Sequence, residues 1–242
     1  MGSKFTSTPR FTDCSVTINS WSLLLPDSES FLSAYKEIFV DQIYAFKFEG
    51  PAPKILDLGA NIGLSVLYFK KSYPHAQITA FEADSNIFDY LKKNIHENGF
   101  NDVQLINKAA WHENTTLQFR SEGADGGRAA LPGDEKLVSV EAIDIGEFMR
   151  DKQFDFLKMD IEGAEESVLP ACKDYLAGIK FIFVEYHSKA GQKQCLDRIF
   201  TILAEAGFRV HIHALTYSRS PFIEVTVNAG FDQQLNIFGW RE

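Results

Sequence analysis

The run Lys54-Ile55-Leu56-Asp57-Leu58-Gly59-Ala60-Asn61-Ile62-Gly63 constrains the fold of this chain more than any other. An apolar run carrying an acid, then a glycine-rich turn, then a helical pattern is how a buried parallel strand feeds a helix through a tight loop. Gly59 and Gly63 allow backbone to approach a ligand closely, and the following helix aims its first N–H groups at that ligand. A second acid, Glu82, closes the next apolar run, Gln77-Ile78-Thr79-Ala80-Phe81. An acid at that place can accept hydrogen bonds from two ribose hydroxyls. The pair implies a nucleoside-containing cofactor.

The spacing argues against a nicotinamide dinucleotide. That cofactor's fingerprint is G-x-G-x-x-G, and here Asn61 stands at the middle glycine. An acid beside the loop, Asp57, suits an ammonium group better than a phosphate. S-adenosylmethionine carries that ammonium, lacks a phosphate and offers a ribose to Glu82. The plain alternative is a tight strand-to-helix turn with no ligand.

At this point the chain resembles the FkbM family of S-adenosylmethionine-dependent methyltransferases. The resemblance rests on Asp57-Leu58-Gly59-Ala60-Asn61-Ile62-Gly63, on Phe81-Glu82-Ala83, and above all on Lys158-Met159-Asp160-Ile161-Glu162-Gly163-Ala164-Glu165. It runs from about Lys54 to about His187. The first motif is common to many methyltransferases; the K-x-D-x-E-G-A-E string is far more specific. Ala83 departs from the proline usual there and leaves the ribose acid in place. The resemblance implies a class I, Rossmann-like α/β fold: a doubly wound, mostly parallel seven-stranded sheet with an antiparallel hairpin at one edge.

The alternation of strands and helices leads to the same sheet. Strands are expected at Lys54–Leu58, Gln77–Phe81, Val103–Asn107, Phe154–Asp160, Ile179–His187, Phe208–His213 and Leu235–Trp240. Helices are expected from Gly63 to Ser72, from about Ser85 to Asn98 with Gly99 as C-cap, from Gly163 to Cys172 and from Gln192 to Ala206. Before the first core strand, residues 1–50 form a segment of their own. Phe31, Leu32, Tyr35, Ile38, Phe39, Ile43 and Phe46 recur at helical spacing, so Ser28 to Phe48 reads as one helix, either packing on the sheet edge or serving as a lid. Residues 51–242 form the cofactor domain. Within it, 112–142 is an insert: Thr116–Arg120 and Lys136–Glu141 alternate like strands around the glycine-rich loop Ser121–Arg128, and Ile143–Arg150 reads as a short helix.

Ligands in doubly wound sheets sit beyond the carboxyl ends of the strands. Asp57 and Asn61 are therefore assigned to the aminoacyl part of the cofactor, across the Gly59-Ala60 and Gly63 backbone, and Glu82, followed by Ala83, to the ribose. Ala109, after the third strand, stands where many methyltransferases offer backbone to adenine. Lys108 replaces the acid often found beside it, so Asn107 or backbone must serve. Asp160 ends the strand expected beside the first and is the candidate reacting centre, close to both cofactor and acceptor. Glu162 shares its face if the strand stays extended, and Glu185 and His187 repeat that relation on the next strand. Helix capping is the plain reading of Glu162 and Glu165. Lys158, on a buried strand, must be paired or lose its proton; an ion pair with Asp57, Asp160 or Glu185 is the plain reading and a catalytic base the alternative. His187 can be a general base, a ligand or, the plain reading, a polar strand end; acids at two strand ends plus a histidine would also suit Mg²⁺ or Mn²⁺, but a metal is not the favoured reading.

Net charge is −9 over 242 residues, and no block of Lys or Arg tracks a nucleic-acid backbone. Cys14, Cys172 and Cys195 have neither metal spacing nor a paired framework, which fits reduced thiols in the cytoplasm. No stretch has the length of a membrane span and no signal peptide is visible. Met1-Gly2-Ser3-Lys4-Phe5-Thr6 formally fits an acylation pattern and is read as chance. The expected protein is a cytoplasmic methyltransferase acting on a hydroxyl of a sugar or natural-product-like small molecule. The alternatives are a nitrogen-directed methyltransferase and a cofactor-binding protein without turnover. The acceptor's identity and the oligomeric state are not encoded in any pattern.

Overall fold

The computed structural model describes residues 9–124, 126–131, 133–135 and 137–241. The Met1–Thr6 pattern, Asp125 in the glycine-rich loop and Lys136 lie outside the described residues. The chain begins with a hairpin, β1 (Cys14–Ile18) and β2 (Trp21–Leu25), and a helix α1 (Ser28–Tyr35) whose last turn widens into a π-turn over Lys36–Val40. The main sheet follows, with β3 (Lys54–Leu58), α2 (Leu64–Ser72), β4 (Gln77–Phe81), α3 (Ser85–Glu97) and β5 (Gln104–Ile106). An insert carries β6 (Ala109–Trp111), β7 (Thr115–Arg120), β8 (Arg128–Ala129), β9 (Leu137–Asp144) and α4 (Ile145–Met149). The chain then returns through β10 (Phe156–Met159), α5 (Glu165–Cys172), β11 (Phe181–Lys189), α6 (Leu196–Glu205), β12 (Arg209–Ala214) and β13 (Phe231–Trp240).

The seven-stranded sheet has the order β12-β13-β11-β10-β3-β4-β5. β11, β10, β3, β4 and β5 are parallel; β13 runs antiparallel between β11 and β12. The order reverses between β3 and β10, whose carboxyl ends carry the first glycine loop and Asp160. This switch point is where the fold leaves a crevice.

Side chains alternate across each strand and divide the core between the two faces. Leu56, Leu58, Leu157, Met159 and Val184 meet Val168, Leu169, Ile199 and Leu203 of α5 and α6 on one face. Ile55, Ile78, Ala80, Phe156 and Phe183 meet Val66, Leu67 and Phe69 of α2 and Leu91 and Ile95 of α3 on the other. α3 is the clearest local case. Ile87, Leu91 and Ile95 recur every four residues and are buried. Asp84 caps it by accepting from Asn86 N at 2.9 Å. Gly99, at φ +87°, ends it while Phe100 N donates back to Ile95 O.

The structure departs from the sequence expectation at several places, among them the helix expected from Gln192, which begins at Leu196, and the strand expected from Leu235, which begins at Phe231. The helix expected over Ser28–Phe48 stops at Val40, and Gln42 turns left-handed at φ 55°. Phe46, at helical spacing, is half-buried on irregular chain instead: its ring lies 4.8 Å from Phe156 and 5.1 Å from Phe181, and its carbonyl accepts from the Tyr73 hydroxyl. Aromatic burial there outweighs helix continuation. The β1–β2 hairpin and the short β6 and β8 were not legible, since runs of two to five residues carry little periodic signal. The expected helix Ile143–Arg150 begins only at Ile145, because β9 extends to Asp144, which then caps the helix through Glu147 N.

The hairpin is tied to the core by two asparagines of the α3 end. Asn94, buried, donates to Leu24 O and Ile62 O and accepts from Leu24 N; Asn98 brackets Ser22 in the same way. We expect Asn94→Ala to leave three buried backbone groups short of a partner and to destabilise the protein by about 3 kcal/mol. Urea denaturation measures it; a loss under about 0.5 kcal/mol would mean that Asn94 does not anchor the hairpin.

Candidate active site

The loop between β3 and α2 is shaped by backbone contacts that exclude side chains. Gly59, at φ +85°, lies so close to β10 that a Cβ there would sit 1.8 Å from the Asp160 carbonyl oxygen. Gly59 N and Ala60 N both donate to Phe81 O, at 3.0 and 2.8 Å. Gly63, at φ +97°, opens α2 and packs on Leu91 and Ile95. Asn61 is left-handed at φ 48°; its Nδ2 donates to Ala124 O of the glycine-rich loop at 3.2 Å. Glu82 joins this loop to the end of β4, accepting from Asn61 N at 3.0 Å and from Asp84 N at 2.9 Å.

These elements border a cleft of about 480 Å³. Of the residues assigned to the cofactor from sequence, Gly59, Ala60, Asn61, Glu82, Ala83, Ala109 and Asp160 line it. Three do not reach it. Gly63 is covered by α3. Asp57 is fully buried behind Gly59, where its carboxylate takes Lys158 at 3.2 Å and the Ser65 hydroxyl. Asn107 is turned against the back of the ribose-side loop, donating to Glu82 O at 2.9 Å and accepting from Ser85 Oγ. In the insert, β7 pairs antiparallel with β9, and Leu117 and Phe119 line the cleft.

Lys158 is the hub of the floor. Its ammonium is buried, donates to Gly59 O at 2.7 Å, and lies 3.2 Å from Asp57 and 3.4 Å from Asp160. Burial alone would lower its pKa, but Asp57 and Asp160 more than offset that and hold it above the ordinary lysine value.

The second cluster is acidic. Asp160, Glu162 and Glu185 line the cleft, and Glu37 reaches it from the π-turn after α1. Glu162 does not continue the β10 strand. β10 ends at Met159, and Glu162 is left-handed at φ 54°, so the shared strand face expected of Asp160 and Glu162 gives way to a turn. The turn is held by Glu165, which is fully buried and accepts from Ile161 N at 3.0 Å and Gly163 N at 3.2 Å. Glu162 still meets the site: its carboxylate lies 3.5 Å from His187 Nε2, as that of Glu185 does at 3.4 Å. His187 itself is buried beneath the cleft rather than in it. Burial works against its charged form, but Glu165 and Glu162 raise its pKa well above the ordinary value. Burial, then Glu185 and Asp160, push Glu37 up to about 7. Burial, then Asp160, raises Glu185.

Sequence reasoning missed Glu37 and Tyr44. Tyr44 is buried at the cleft wall, 4.9 Å from Phe183 and 5.9 Å from the Lys158 ammonium. Neither residue belongs to a motif, and both come from the stretch whose helix was drawn too long.

A parallel sheet with a switch-point cleft, a glycine loop, a ribose-type acid and acids at the next strand ends define the class I S-adenosylmethionine-dependent methyltransferases. Residues 57–210 match the Methyltransferase FkbM domain, and the chain belongs to that family. It is 26% identical over 229 residues to methyltransferase sdnD of Sordaria araneosa, an alignment covering 79% of this chain and 87% of that one. It is 26% identical over 159 residues to the 2-O-methyltransferase NoeI of Sinorhizobium fredii, covering 57% of this chain and 65% of the relative. The solved structure of M. jannaschii TYW2 in complex with AdoMet superposes with a TM-score of 0.51 at 13% identity, over 97% of this chain and 89% of the other, a likeness of fold. The chain is thus an S-adenosylmethionine-dependent methyltransferase. No helix among the described residues is long and apolar enough to cross a membrane.

Two outcomes follow from the charges. Lys158→Met strips a fully buried Asp57 of its counter-charge and should cost about 3–5 kcal/mol in urea denaturation; a loss under about 1 kcal/mol would show that the bridge is not structural. Glu82 is pushed up by burial to about 7, against the pull of the Asp84 and Asn61 N–H groups. An acid raised above its ordinary 4.5 binds its proton more tightly when folded. Its contribution to stability is therefore full at low pH and fades as pH rises through about 7. With Glu82 in the ribose role assigned from the sequence, ribose hydroxyls would donate to its ionised form, and affinity for S-adenosylhomocysteine would fall as pH drops below about 7. In Glu82→Gln that dependence should flatten. Calorimetry at several pH values reads both, and an equally steep wild-type and variant profile would remove Glu82 from the ribose site.

Proposed function

We propose that this enzyme transfers the methyl group of S-adenosylmethionine to a hydroxyl of a sugar or natural-product-like small molecule. The observation that carries this reading is the convergence of Asp160, Glu162 and Glu185 on the cleft floor, beside the glycine loop and across from Glu82. Methyl transfer from a sulfonium is an in-line displacement in which the protein supplies position and electrostatics. The cofactor lies along Gly59, Ala60 and Asn61, with its ribose on Glu82 and its adenine between Ala83 and Ala109. Asp57 acts at one remove, through Lys158. Asp160 accepts a hydrogen bond from the acceptor hydroxyl and draws off its proton as the new O–C bond forms, with Glu162 and His187 behind it.

An acid-rich floor suits a neutral polyol better than a phosphate or a nucleic acid. It also disfavours nitrogen acceptors, because carboxylates hold an amine in its unreactive ammonium form. The similarity to a protein named a 2-O-methyltransferase supports oxygen as the acceptor atom. The first fifty residues are assigned to acceptor enclosure: Ser30, Ala34 and Glu37 form one wall of the cleft. A reducing, cytoplasmic setting is supported by three free cysteines, Cys14, Cys172 and Cys195.

S-adenosylmethionine and S-adenosylhomocysteine should raise the melting temperature and NAD should not. With a radiolabelled methyl donor and a panel of hydroxylated acceptors, Asp160→Asn should slow single-turnover transfer by about 100-fold or more while the melting temperature stays near that of the wild type. A destabilised variant whose folded fraction transfers methyl at the normal rate would overturn the role of Asp160. Cofactor binding without transfer to any acceptor would point to a non-catalytic binding protein.

A further inference from the structure

Among the described residues, His187 Nε2 has no hydrogen-bond partner and meets only carboxylates. Its Nδ1 faces two groups that can only accept: Glu165 Oε1 at 3.2 Å, a carboxylate oxygen, and the Glu185 carbonyl at 3.1 Å. The proton of a neutral ring therefore sits on Nδ1, and the lone pair sits on Nε2. Nε2 is buried and makes no hydrogen bond. It points at carboxylates, with Glu185 Oε1 at 3.4 Å and Glu162 Oε2 at 3.5 Å. A lone pair aimed at carboxylate oxygens is repulsive, so either a second ring proton or a metal cation lies between them, and the neighbouring Asp160 carboxylate supplies the further ligand that a metal needs and a proton does not.

Asp160, Glu185 and His187 can each bring one ligand atom to a common point, with those atoms within 4.8 Å of one another. Around an octahedral ion with bonds of about 2.1 Å, neighbouring ligands are about 3 Å apart and opposite ones about 4.2 Å. The pocket is thus near ligand spacing without rearrangement of backbone. The outer shell is present as well. A carboxylate on the far nitrogen of a ligating histidine fixes its ring and tautomer, and Glu165, itself locked by Ile161 N and Gly163 N, does this here.

We infer that Asp160, Glu185 and Nε2 of His187 form a site for a divalent cation on the cleft floor. Two carboxylates and one imidazole suit Mn²⁺ or Mg²⁺ better than a soft metal. Asp160 and Glu185 line the cleft while His187 closes the site from below, so the open positions face the acceptor. There they would be filled by water or by hydroxyls of the substrate, which are of the class proposed above. A cation at this place holds an acceptor oxygen by position and charge. The role in acceptor binding rests on the oxygen-directed reading; the site itself does not.

The test uses the full chain after chelator treatment, with Mn²⁺ as the probe, in the presence and absence of S-adenosylhomocysteine. Electron paramagnetic resonance counts bound Mn²⁺, and electron spin-echo modulation detects a directly bound nitrogen. We expect one Mn²⁺ per chain with a single histidine nitrogen coupling. Glu185→Gln, at a partly exposed position, should weaken Mn²⁺ by about tenfold or more. Glu165→Gln should weaken it by about 10–100-fold through the misoriented ring, without removing a ligand. The melting curve of each variant establishes that it is folded. Absence of stoichiometric Mn²⁺ under both conditions overturns the site and leaves His187 an imidazolium held by its acids. Equal affinity in the wild type and Glu185→Gln, or bound Mn²⁺ without a nitrogen coupling, overturns it too. A protein that binds S-adenosylhomocysteine but no Mn²⁺ would refute the metal alone; one that binds Mn²⁺ but transfers methyl to no hydroxyl would refute the acceptor reading alone.

Discussion

A single buried ammonium holds together the two strands on which everything else in the site depends. Lys158 rises from β10 to the Asp57 carboxylate of β3 and the Gly59 carbonyl, and turns its remaining charge toward Asp160. Two strand ends at the switch point would otherwise present bare carboxylates to each other across a desolvated gap. With Lys158 between them, the loop can pass so near Asp160 that only glycine fits at position 59. The closeness of the Gly59 loop and Asp160 is a consequence of that charge.

The centre of the architecture was legible because β3, β4 and β10 are strands buried on both faces that run into Gly59, Glu82 and Asp160. Lys54–Leu58 and Gln77–Phe81 were found to the residue. Periodicity misled at residues 41–48, where Phe46 keeps a helical position in the sequence but reaches the core from irregular chain. It misled again at Glu162, because Gly163 lets the chain leave β10 at once and a glutamate takes a left-handed conformation before it. The motif residues Asp57 and Asn107 look like ligand contacts in one dimension. Only burial and partners reveal that Asp57 serves Lys158 and that Asn107 serves the backbone of Glu82 and Ala83. Glu37 was invisible, since nothing near it in the chain marks it as belonging to a site formed 120 residues later.

The floor and the ribose side treat charge differently. Glu82 is surrounded by backbone N–H groups and has little to repel it, so burial is what shapes its ionisation. On the floor, carboxylates crowd one another, and their ionisation depends on which cation shares the space. A cationic cofactor, a protonated histidine and a divalent ion are competing answers to the same excess of negative charge, and the cleft holds room for more than one.

Asn94 couples the N-terminal hairpin to the glycine loop in a way that their distance in sequence conceals. One amide group bonds Leu24 of the hairpin and the carbonyl of Ile62 in the glycine loop. Motion in either segment is thereby transmitted to the other through one rigid side chain. A ligand that stills the loop also lowers the conformational entropy of the hairpin, and the hairpin's backbone amides then exchange with solvent more slowly although no ligand atom touches them.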